Sequence, residues 1–322
     1  MILATIDDGT PDGQLVAVSI DHSHYLADPA LPNLLAAMED WAEASARLAR
    51  LAERLAAGEG KALRNATLLA PLPRTWQWLD GSAFATHGEL MQLAFGLDSI
   101  DRERPLMYQG VSDRFYSASA DVPFMSEVDG IDFEGEFGVI VDAVPMGISA
   151  EAARAHIKLV VQINDWSLRA IAPIEMKTGF GWIQAKPPCS VAPFALTPDE
   201  LGLAWRDTRV ALDLEIEWNG DPFGRANGSP MDFGFDGLIA HAARTRDLVA
   251  GTMIGSGTVS NAAYAEVGSS CISERRAIEM IASGVPSTNF MRFGDRIRMA
   301  ARGLDEGTPF GIIDQRVVQA VR

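Results

Sequence analysis

Three carboxylates alternate in Ile131-Asp132-Phe133-Glu134-Gly135-Glu136-Phe137, directly ahead of the apolar run Val139-Ile140-Val141. Read as one strand, a period of two places Asp132, Glu134 and Glu136 on one face and Ile131, Phe133 and Phe137 on the other. Neighbours on a face are only about 7 Å apart. Half buried, such a row repels itself unless something positive lies over it. A hard divalent cation is the natural candidate, and a solvated strand face is the plainer alternative.

Other groups with chemical capacity are scattered along the chain. Asn164-Asp165-Trp166-Ser167 follows the apolar run Ile157–Ile163. A carboxylate at the end of a buried strand needs partners or a metal; otherwise Asp165 caps a following helix. Asp80 and His87 lie seven residues apart, and His87 is one of only five histidines. Of the others, His22 and His24 flank a turn, His156 precedes a strand and His241 lies on a helix. Lys186 sits in a mostly apolar stretch poor in acidic partners, where it either snorkels along apolar surface or holds a developing anion. Gly255-Ser256-Gly257-Thr258-Val259-Ser260-Asn261 offers backbone N–H groups and a hydroxyl, but without a P-loop lysine it reads as a turn or a small anion cradle.

The elements that must carry these groups are mostly strands. Leu15–Ile20 reads as a strand after an Asp12-Gly13 turn. Leu34, Met38, Trp41, Leu48 and Leu55 recur at helical spacing, with small Ser45 on the same stripe, and predict one helix over 32–57. Pro32 suits its first turn, and Gly58 and Gly60 its stop. Val210 to Trp218 alternates apolar with polar and runs into Asn219-Gly220, a hairpin signal. Phe293–Met299 reads as a turn and a strand. Helices are expected near 149–158, opened by Ser149, and near 235–250, closed by Gly251. The pattern predicts an α+β chain with a mainly antiparallel β-fold. Pro71-Leu72-Pro73 marks a boundary between a small α+β unit over 1–73 and a larger one over 74–322.

Composition narrows the class. At 48% apolar and 22% charged residues, the 322-residue chain has ample material for a globular core. A net charge of −16 argues against nucleic acid or an anionic membrane surface as partner. Cys189 and Cys271 are too few for a disulfide framework, lack zinc spacing, and read as buried thiols. The N-terminus lacks the basic and apolar regions of a signal peptide, and no apolar run is long enough to span a bilayer. A cytoplasmic location is the expectation.

Taken in order, these segments resemble the fumarylacetoacetate hydrolase family over roughly 80–315. The pieces that carry the resemblance are Asp132-Phe133-Glu134-Gly135-Glu136 and Asn164-Asp165-Trp166-Ser167, about thirty residues apart. Pro105-Leu106-Met107-Tyr108-Gln109-Gly110, Gln184-Ala185-Lys186 and Gly257-Thr258-Val259-Ser260 match in the same order. The N-terminal unit is similar to the small domain that precedes the catalytic one in bacterial members. The resemblance implies a mixed β-roll catalytic domain, paired as a homodimer. It implies a divalent cation, Mg²⁺ or Ca²⁺ with Mn²⁺ an option, held by Asp80, Glu134, Glu136 and Asp165.

It further implies His87 as the base for water, Glu274 as its partner, and Lys186 as the charge that meets an enolate leaving group. Tyr108 and Thr258 match substrate-contacting positions, and Arg169 follows Asp165 at the family spacing. The substrate class is a β-diketo acid such as fumarylacetoacetate or an acylpyruvate, cleaved at a C–C bond. A 2-oxo acid lyase (decarboxylase, hydratase or dehydratase) is the alternative, and a binding protein that keeps the cage for stability a third. Ser82, Gly96 and Ala172 depart from the family's tyrosine, arginine and glutamine, which leaves the far end of the pocket open. Arg104 or Arg114 is a candidate replacement cation there.

Overall fold

The structure, a computed structural model, describes residues 1–95, 103–303 and 306–321. Among these residues, a twelve-stranded mixed sheet forms the spine and a five-stranded sheet packs beside it. The long sheet runs from Lys61–Ala62 through His24–Leu26, Gln14–Val18, Ile2–Ile6 and Ala195–Leu196 to the central pair Ile157–Asn164 and Gly135–Val141. It continues through Met253–Gly255 and Trp78–Gly81 to Met107–Gly110. Most neighbours are antiparallel; Met253–Gly255 runs parallel to Trp78–Gly81. The second sheet orders Asp221–Asn227, Asp213–Trp218, Arg296–Arg302, Ile313–Gln319 and Val122–Phe124.

The central strands are apolar on both faces because both faces are covered. Phe137, Val139 and Val141 pack into the core shared with the second sheet, beside Leu214, Ile216 and Met299. Ile140, Leu159 and Val161 face the other way, into a core closed by Leu48, Leu51 and Leu55 of the N-terminal helices. The first 73 residues are thus stitched into the same sheet, through the pairing of Ile2–Leu3 with Ala195–Leu196.

The acidic stretch is not one strand. Ile131–Asp132 pairs with Ser167–Leu168, whereas Gly135–Val141 pairs with Ile157–Asn164. The chain changes partner at Phe133–Glu134, so the period-two phase does not carry across. Phe133 anchors the break: fully buried, it packs edge-on against Phe223 and Trp218. Burying such a side chain contributes roughly 2 kcal/mol.

Helix lengths also differ from expectation. The stripe over 32–57 divides into Leu34–Glu39 and Trp41–Ala56. Asp40 sits between them with φ −133°, and its carboxylate accepts from Glu43 N of the second helix. Asn33 caps the first, leaving Pro32 just outside. Ser149 caps as expected, but its α-helix covers only Ala150–Ala153 before a 3-10 turn leads into the Ile157 strand. The helix expected to reach 250 ends at Ala242, because Leu248 pairs with Val144 instead. The Asn219-Gly220 hairpin forms with positive φ at both residues, as its primed turn requires. No helix of the described residues is long and apolar enough to cross a membrane.

Candidate active site

The sheet order brings distant carboxylates together. Asp80 rides on Trp78–Gly81 and Glu136 on Gly135–Val141, and Met253–Gly255 runs between these two strands. Gly255 lies opposite both Asp80 and Gly138. A Cβ there would collide with Asp80 Oδ1 and the Trp78 ring and press within 3.1 Å of Glu136 Oε2. Bare backbone at this position lets the two carboxylates approach over it. Asp165 arrives from the end of Ile157–Asn164, its N–H donating to Glu134 O at 2.9 Å. One oxygen each of Asp80, Glu136 and Asp165 lies within 4.8 Å of the others, and all three residues are buried.

Three buried carboxylates this close need a counter-charge. Burial pushes the Asp80 and Glu136 carboxyls well up, and their acidic neighbours add to the effect. Burial also raises Asp165, against the pull of Lys186. Both Glu136 oxygens are buried without a hydrogen-bond partner among the described residues. An all-oxygen donor set with two orphaned lone-pair-rich atoms fits a hard cation such as Mg²⁺, Ca²⁺ or Mn²⁺. Gly255→Ala should therefore weaken divalent-cation affinity at least 10-fold and lower stability by about 1–3 kcal/mol through overpacking. Calorimetric Mn²⁺ titration and thermal melting check both effects.

Glu134 belongs to a different set of contacts. Its Oε2 accepts from Lys186 Nζ at 2.6 Å, and its Oε1 accepts from Arg169 Nη2. Burial works to raise its carboxyl, but Arg169 and Lys186 outweigh that and hold it well below the usual range. Asp132, which the strand pattern placed beside it, turns elsewhere and meets Arg169 Nε at 2.8 Å. The shared acidic face is thus corrected. Asp132 and Glu134 share Arg169, and Glu136 lies apart from both, beside Asp80 and Asp165.

Lys186 does not snorkel. Its ammonium donates to Glu134 Oε2 and, at 2.5 Å, to Asp165 Oδ2. Burial alone would lower its pKa, yet Asp165 and Glu134 raise it, so Lys186 is charged. Its acidic partners lie 52 and 21 residues away in the chain, which is why the local stretch looked poor in them. Asp165 does not cap a helix. Besides Lys186 it accepts from Tyr108 Oη at 2.7 Å and from Cys189 Sγ at 2.9 Å.

His87 stands on the Ala85–Phe95 helix, and its Nδ1 lies 2.8 Å from Oε2 of fully buried Glu274 on Ile272–Ser283. His87 lies within electrostatic reach of Glu134. The remaining four histidines serve elsewhere: His22 packs on Phe194, His24 meets Ser23, His156 meets Asp142, and His241 stands in the last turn of the Phe235–Ala242 helix. Thr258 is buried just after Gly257, whose N–H donates to Asp80 Oδ1 at 3.1 Å. Trp182 packs edge-on against Tyr108 at 6.1 Å between centroids.

Ser82 is exposed, Ala172 opens the helix Ala172–Thr178, and Gly96 lies outside the described residues. Arg104 sits near His241 and Arg114 beside Tyr116. Sequence reasoning missed Cys189 and Gly255 as neighbours of the cluster. Neither carries a local signal, since sheet order alone puts them there.

The sequence matches the family described as "Fumarylacetoacetate (FAA) hydrolase C-terminal" over residues 77–318, and "Fumarylacetoacetase N-terminal domain 2" over 1–74. The chain belongs to the fumarylacetoacetate hydrolase family. No curated protein matches the sequence. Among solved structures, a putative HpcE protein from Mycobacterium smegmatis superposes with a TM-score of 0.69 at 18% identity, covering 100% of both chains. Maleylpyruvate hydrolase from Sphingobium sp. SYK-6, in complex with manganese(II) ion and pyruvate, gives 0.67 at 17% identity over 100% of both. The 5-carboxymethyl-2-hydroxymuconate delta-isomerase from Mycobacterium smegmatis gives 0.63 at 17% over 100% of both. At these identities the likeness is one of fold. The same fold thus carries one protein named as a hydrolase and another named as an isomerase.

Proposed function

We propose that this protein hydrolyses a C–C bond in a β-diketo acid of the acylpyruvate or fumarylacetoacetate type, with a divalent cation held by Asp80, Glu136 and Asp165, beside Glu134. The observation that carries the reading is the 2.8 Å contact between His87 Nδ1 and Glu274 Oε2. A carboxylate cage serves many reactions of 2-oxo acids, but hydrolysis also needs a base for water. The manganese and pyruvate of the Sphingobium enzyme support the choice of cation and substrate class.

Held at Nδ1 by Glu274, the imidazole presents Nε2 to take a proton from water. The resulting hydroxide adds to the acyl carbonyl carbon. The bond from that carbon to the adjacent methylene breaks, and its electron pair leaves in an enolate. His87 returns the proton to that methylene carbon, so the two products together contain one added water. Charged Lys186, poised between Glu134 and Asp165, meets oxygen charge as it develops. Tyr108 and Thr258 border the substrate, and Arg169 fixes Glu134. When bound, the cation supplies Lewis-acid polarisation of a substrate carbonyl.

Loading the metal-free protein with Mg²⁺ or Mn²⁺ at 100 times Kd should stabilise it by about 2.7 kcal/mol, and a chelator should reverse this. A melting temperature indifferent to both would contradict the cage. Incubated with an acylpyruvate, the loaded protein should release a carboxylic acid and a 2-oxo acid, read by NMR of the products. Loss of carbon dioxide, or a product of unchanged mass, would point instead to lyase or isomerase chemistry.

A further inference from the structure

We propose that Asp132 is a positioning residue: it clamps the first turn of the Glu274-bearing helix to Arg169 and so sets the His87–Glu274 pair against the carboxylate cluster. Asp132 is fully buried and both of its oxygens are engaged. Oδ1 accepts from Ile272 N at 2.8 Å, and Oδ2 accepts from Ser273 N at 2.9 Å and Arg169 Nε at 2.8 Å. The first amides of a helix have no partner within it. Here Asp132 takes two of them from a segment 140 residues away in the chain, and Cys271 Sγ takes the next, Glu274 N, at 3.3 Å. A carboxylate at this end also suits the helix dipole.

The clamp reaches the cluster through a continuous set of contacts. Arg169 spends its other arm on Glu134. Glu134 in turn holds Lys186, and Lys186 reaches Asp165. The chain ahead of the helix is docked on the same edge, with Gly135 N donating to Ser270 O at 2.9 Å and Glu134 bridging Cys271. Glu274 is the third residue of its helix. Successive residues point about 100° apart, so a slip or rotation of that first turn swings its carboxylate off His87. Misplacement of a reacting group by about 1 Å can cost roughly 10²-fold in rate.

The kinetic part of this inference rests on the hydrolase reading, so its test carries an arm that does not. In metal-free protein labelled at histidine nitrogen, the wild type should show a downfield His87 Hδ1 resonance from the bond to Glu274. Asp132→Asn keeps the shape but removes the charge, and should weaken or abolish that resonance. On an acylpyruvate, its kcat should fall about 10²-fold. Its Mn²⁺ affinity should change by less than the roughly 10-fold expected for losing a residue that holds a ligand directly. Ile272→Pro is the second variant, should the first fail to fold. It deletes one donor to Asp132 at a first-turn position that tolerates proline, after Cys271 in extended backbone (φ −150°, ψ 160°). It should move both readouts in the same direction by less. An unchanged Hδ1 resonance, or a kcat that falls only in step with the folded fraction, would overturn the proposal. Absence of turnover in the wild type would sink the hydrolase reading alone and leave the spectroscopic arm decisive.

Discussion

Replacing His87 by alanine should lower kcat for an acylpyruvate by about 10³-fold or more, within the 10²–10⁴ range of general acid–base catalysis. Divalent-cation affinity should hardly move. The reason is spatial: His87 and Glu274 come from two helices, whereas Asp80, Glu136 and Asp165 come from sheet strands and their ends. Removing the imidazole leaves the oxygen donors where they were. It leaves the buried Glu274 carboxylate without the His87 contact, the one side-chain partner it has among the described residues, so some stability is lost as well. Calorimetry with Mn²⁺, steady-state rates and melting together separate the three effects. Turnover that survives intact would remove His87 from the chemistry.

Glu136→Gln should have opposite effects on binding and on stability. Cation affinity should fall by more than the roughly 100-fold that loss of an outer partner costs, since a charged donor itself is gone. Metal-free stability should rise, by about 2 °C in Tm for each kcal/mol relieved. The sign follows from the carboxyl's raised pKa in the folded protein, caused first by burial and then by Asp80 and Asp165. A raised value means the folded state binds the proton more tightly than the unfolded chain. The stability this contributes is complete below about pH 4, near the unfolded glutamate value. It is lost as pH rises through the raised folded value. The advantage of the glutamine variant in the metal-free state should therefore be absent at acid pH and grow toward neutrality. Melting curves across that interval read it directly, and a variant less stable than wild type at neutral pH would contradict the account.

The candidate site residues were picked out because their segments occur in family order, not because any one segment declares its role. Lys186 shows the difference. Its neighbours suggested apolar surface, while its two carboxylate partners are supplied by the sheet from elsewhere in the chain. Period two failed at Phe133–Glu134 for a related reason: the chain trades one strand partner for another there, and no local pattern marks the exchange. The same limit hid Gly255, whose missing side chain matters only because Asp80 and Glu136 lean over it. In the N-terminal stripe the apolar spacing was right, yet a residue able to end one helix and cap the next split it at Asp40. Where residues meet within one element or turn, as at Asn219-Gly220, the reading from sequence and the fold agree.

The most direct test of the central claim follows the oxygen of water. With Mn²⁺-loaded protein, an acylpyruvate and water enriched in oxygen-18, mass spectrometry of the products reports where that oxygen goes. Attack by water activated at His87–Glu274 predicts one heavy oxygen in the carboxylic acid released from the acyl end, lost together with turnover in His87→Ala. A decarboxylated or isomerised product, with no acyl-derived carboxylic acid carrying the label, would contradict it.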